Sequence, residues 1–126
     1  MLRLPNLLAF PLFAFYVFRL TSFLDSRFLK WSLLVGAFSV HIFIEMFAYA
    51  RGYGISFAFL VAAIFYAFQS FESAKKRPFV LFFLFQALML LSNLSLLPLA
   101  LIFSSFVWLS GVWKGFHPAT LLIGLA

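Results

Sequence analysis

The chain has 126 residues, of which 66% are hydrophobic and 10% charged, with a mean hydropathy of +1.13; a soluble domain is roughly 45–50% apolar and about 25% charged. A small domain buries only about 60–70% of the surface its unfolded chain exposes, so this much apolar side chain calls for a hydrocarbon solvent, and a soluble enzyme and a disordered chain are excluded. The net charge of +6 would suggest nucleic acid in a soluble protein. Here the basic residues sit between apolar runs, where they act as topology signals and lipid-headgroup contacts, and no nucleic-acid partner is expected. Cysteine is absent, which removes disulfides, thiolate metal ligands and thiol nucleophiles.

A membrane-crossing helix takes about 20 mostly apolar residues, and the sequence predicts five such segments in a single transmembrane helical domain over 1–126. The first is 4–24, interrupted by Arg19. Arg3 and the apolar stretch 7–18 resemble a leader peptide, but Arg19 follows at once and no small-x-small cleavage site lies near Asp25, so the segment is read as a retained helix. The second is 31–50, without Lys or Arg, and the third 53–71. After a basic loop, 79–113 runs without a charged side chain; as one helix it would be about 52 Å long against a hydrocarbon core of about 30 Å. It must turn back, and Ser92-Asn93-Leu94-Ser95 followed by Pro98 supplies the chemistry: Asn and Ser bond locally to backbone, and Pro suits a first helical turn. Helices four and five, 79–92 and 97–113, then form a tight hairpin.

The end of the chain, 116–126, reads as a short amphipathic or incomplete helical tail. From Pro118 it would reach only about 13 Å, enough to lie at an interface or dock on a partner. Residues 28–37 and 116–125 share Phe, Ser/Thr, Leu-Leu, Val/Ile and Gly, a match that the abundance of Leu and Phe accounts for without an internal repeat.

Charge sets the orientation. With five alternating spans, Arg27, Lys30, Lys75, Lys76, Arg77 and Lys114 share one side, with Arg19 close enough to snorkel to it; Arg3 and Arg51 face the other. The positive-inside rule then puts the amino terminus outside and the carboxyl terminus inside.

Four polar residues stand out within or beside the apolar runs. His41 and Glu45 are four apart on one face of helix two, in a small and polar stripe that continues through Ala37, Ala48 and Gly52. A charged group at bilayer depth costs from about 2.5 kcal/mol upward, so this stripe should face protein or a cavity. It reads either as a proton-linked site titrating at Glu45 or, with more weight, as a hydrogen-bonded pair that fixes packing. Gln86 of helix four falls at the depth of His41 by helix rise, which makes a His41–Gln86 bond feasible, with Asn93 further out on the same helix; Arg51 is the nearer cation for Glu45. Gly54, Ala58 and Ala62 repeat every four residues along helix three, a row that lets helix backbones approach closely in lipid.

These residues assemble no catalytic constellation. There is no Gly-rich phosphate loop, no Ser-His-Asp set and no pair of membrane carboxylates. His41 and Glu45 supply two of the three ligands a catalytic zinc needs. His41 and His117 are roughly 15 Å apart in depth, so a haem b would have to be shared with a partner through His41; no cofactor or metal is expected. Three readings follow. The favoured one is a small non-catalytic integral membrane subunit, packed by lipid and by other membrane subunits or copies of itself. The second is a small oligomeric proton-coupled transporter or channel using Glu45 and His41, and the third is the membrane module of a longer sensor or enzyme.

Overall fold

The computed structural model describes residues 4–39, 45, 53–72 and 76–113, with backbone only for 76 and 111–113. Five helices and no strand occur among the described residues: α1 Leu4–Leu20, α2 Arg27–Ser39, α3 Tyr53–Glu72, α4 Lys76–Ser92 and α5 Leu97–Trp113. Two stretches of 20 residues, Leu4–Phe23 and Tyr53–Glu72, are long and apolar enough to cross a membrane; an amino-terminal leader shares the make-up of the first.

α1 runs through Pro11, which removes one backbone donor from its ladder. It tightens into a 3-10 turn at Thr21–Phe23, where the hydroxyls of Thr21 and Ser22 donate to the carbonyls of Phe18 and Arg19, both at 2.7 Å. Arg19 is exposed and lies over the Phe15 ring, 5.4 Å from its centroid. α2 begins earlier than the expected 31: the Lys30 N–H already donates to the Ser26 carbonyl at 3.1 Å, so Arg27 and Lys30 belong to its first turn. The rest of the expected second helix, including most of 40–52, lies outside the described residues.

α4 also begins before the expected 79, with Pro78 in its first turn, where the missing N–H costs no bond. It ends at Ser92. Asn93 is extended (φ −158°), and its side-chain oxygen accepts from the Ser95 N–H at 3.1 Å and the Ser95 hydroxyl at 2.7 Å. A 3-10 turn over Leu94–Leu96 leads into α5, with Pro98 in the first turn. The connection is tight. The two helices, however, meet through long side chains more than through close backbones.

α3 is the central element and packs closely against both α4 and α1. One side, with Ala58, Val61, Ala62 and Phe65, joins Ala9, Phe13, Tyr16 and Val17 of α1 in a buried cluster. The other, with Ala63 and Ala67, meets Phe79 and Phe82 of α4 and Val107 of α5. Small residues on α3 thus form sockets for aromatic rings on its neighbours. The rings continue across helices: Tyr16 and Tyr66 each pack on Phe85, at 5.7 and 5.4 Å between centroids, and Phe13 packs on Phe57 at 5.7 Å. Edge-to-face and offset ring pairs add about 0.5–1.5 kcal/mol each beyond burial, so part of the Phe content serves the interior.

Candidate functional site

Among the described residues, three polar contacts between helices and an apolar cavity stand out. The first contact belongs to Asn6, which is 1% exposed. Its side-chain oxygen accepts from the Ile55 N–H at 3.3 Å, 49 positions along the chain. The first N–H groups of a helix have no partner within it, so Asn6 of α1 does for α3 what a local capping residue ordinarily does. Sequence reading passes over Asn6, because a cap supplied from another helix leaves no local spacing signal.

The second contact joins the Tyr16 and Tyr66 hydroxyls at 3.3 Å, between α1 and α3. The third is built on Gln86, which is buried on α4. Its Nε2 donates to the Ala100 carbonyl at 3.0 Å, and its Oε1 accepts from the Ser104 hydroxyl. Ala100 and Ser104 are one turn apart on α5, so a single amide ties the two arms of the hairpin together. Among the described residues, no buried side-chain nitrogen or oxygen lacks a hydrogen-bond partner.

Of the sequence-derived candidates, Gly54, Ala58 and Ala62 are all buried; Ala58 and Ala62 are fully enclosed and lie in the cluster shared with α1. Ala63 and Ala67 form a second small-residue face towards α4 that the four-residue row does not reveal. Glu45 is helical and half-buried. His41 and Arg51 lie outside the described residues, and so do the contacts proposed among His41, Glu45 and Arg51. Gln86 is placed by its bonds to α5. Trp31, Trp108 and Tyr53 are exposed. No group of three His, Asp or Glu side chains that would hold a metal occurs among the described residues.

A cavity of about 530 Å³ opens where α1, α2 and α3 diverge. Its walls are apolar apart from Ser32: Leu20 and Leu24 from the end of α1 and the turn after it, Leu33, Gly36 and Ala37 from α2, and Phe57, Val61, Ile64 and Phe68 from α3. α2 forms the loose wall, since none of its described residues is fully buried. A Cβ built on Gly36 would meet no atom within 4 Å. The cavity lining is apolar, with the Ser32 hydroxyl as its one polar side-chain group. No family model, curated protein or solved structure matches the chain.

Proposed function

We propose that this chain is a small, non-catalytic, multi-pass integral membrane subunit, with its amino terminus outside and its basic connections inside, that packs within a larger membrane assembly. The observation that carries the reading is the apolar exterior. Leu8, Phe18, Phe28, Trp31, Ile102 and Phe106, on α1, α2 and α5, are each more than 60% exposed. Soluble monomers seldom leave contiguous apolar patches beyond a few hundred Å², and hydrocarbon solvates such side chains without cost. Two interior features support a structural role over a chemical one. The buried amides of Asn6 and Gln86 are engaged in joining helices, and the lining of the cavity is apolar apart from Ser32.

The test combines extraction and mass. Membranes washed with alkaline carbonate should retain the chain, and native mass spectrometry after mild detergent extraction should show it in a stoichiometric complex with other subunits. Cysteines placed at Ser26 and Ser73 should be labelled from the same side, opposite a tag on Met1. Release by carbonate refutes the membrane reading; labelling from opposite sides refutes the topology; and a purified chain that alone carries proton-coupled flux refutes the subunit reading.

A further inference from the structure

We draw no further inference here: the strongest candidate, the open apolar groove where α1, α2 and α3 diverge beside Gly36, carries none, because nothing in the structure shows what covers it.

Discussion

Breaking the Gln86 clamp tests whether α4 and α5 are held by one side-chain amide. Ser104→Ala removes the hydroxyl that donates to Gln86 Oε1 and leaves a buried acceptor without that partner. Gln86→Met keeps the length of the side chain and loses both bonds to α5. The second change has a built-in compensation: Ser104 lies four residues after Ala100, so its hydroxyl can turn back to the carbonyl that Gln86 releases. Interhelical side-chain bonds in membrane proteins average about 0.6 kcal/mol and reach about 1.7. Each single variant should therefore lose about 1 kcal/mol, and the double variant little more than either, giving a coupling energy of about 0.6–1.7 kcal/mol. Reversible unfolding in mixed micelles titrated with dodecyl sulfate, followed by circular dichroism, measures all four corners of the cycle. Additive losses, with no coupling, would refute the clamp, because independent side chains add and bonded ones do not.

Overpacking the α1–α3 contact should be costly. Ala58→Leu and Ala62→Leu place extra volume at positions with no exposure and should each lose about 1–3 kcal/mol in the same titration, whereas Leu91→Ala, at an 83% exposed position, should change stability by less than about 0.5 kcal/mol. Truncating Phe82, which is fully buried against Ala63 and Ala67, to Ala should cost about 3–5 kcal/mol; a loss near zero would show that Phe82 is not seated between α4 and the small-residue face of α3. Glu45→Gln should leave assembly unchanged and produce no change in proton flux across reconstituted liposomes; flux present in wild type and lost in the amide would favour the transporter reading over the subunit.

Among the described residues, hydropathy and turn chemistry were enough to place the helices, to break the last apolar run at Asn93, and to pick out Ala58 and Ala62, because each of these rests on neighbours within a few residues. A 35-residue apolar run cannot stay one helix across about 30 Å of hydrocarbon, and an Asn followed by Ser and Pro offers the backbone its local alternative. Helix starts were displaced by a turn, since Lys30 and Pro78 are compatible with helical geometry despite their low hydropathy. Beyond the small-residue row of α3, what could not be derived was rotation about the helix axes. Phe and Leu surround the helices so evenly that no periodic stripe marks the inward face, and helix rise gives depth but not direction. Helix rise gives Gln86 a depth, and the fold adds the direction of its amide, towards Ala100 and Ser104 on α5; His41 lies outside the described residues. The Asn6 cap on α3, the second small face at Ala63 and Ala67, and the cavity beside Gly36 are likewise products of how distant segments meet. Sequence by itself determined the helices and where the chain turns, because those depend on local bonding; tertiary packing decided which faces touch and what space they leave, because that depends on side chains far apart in the chain.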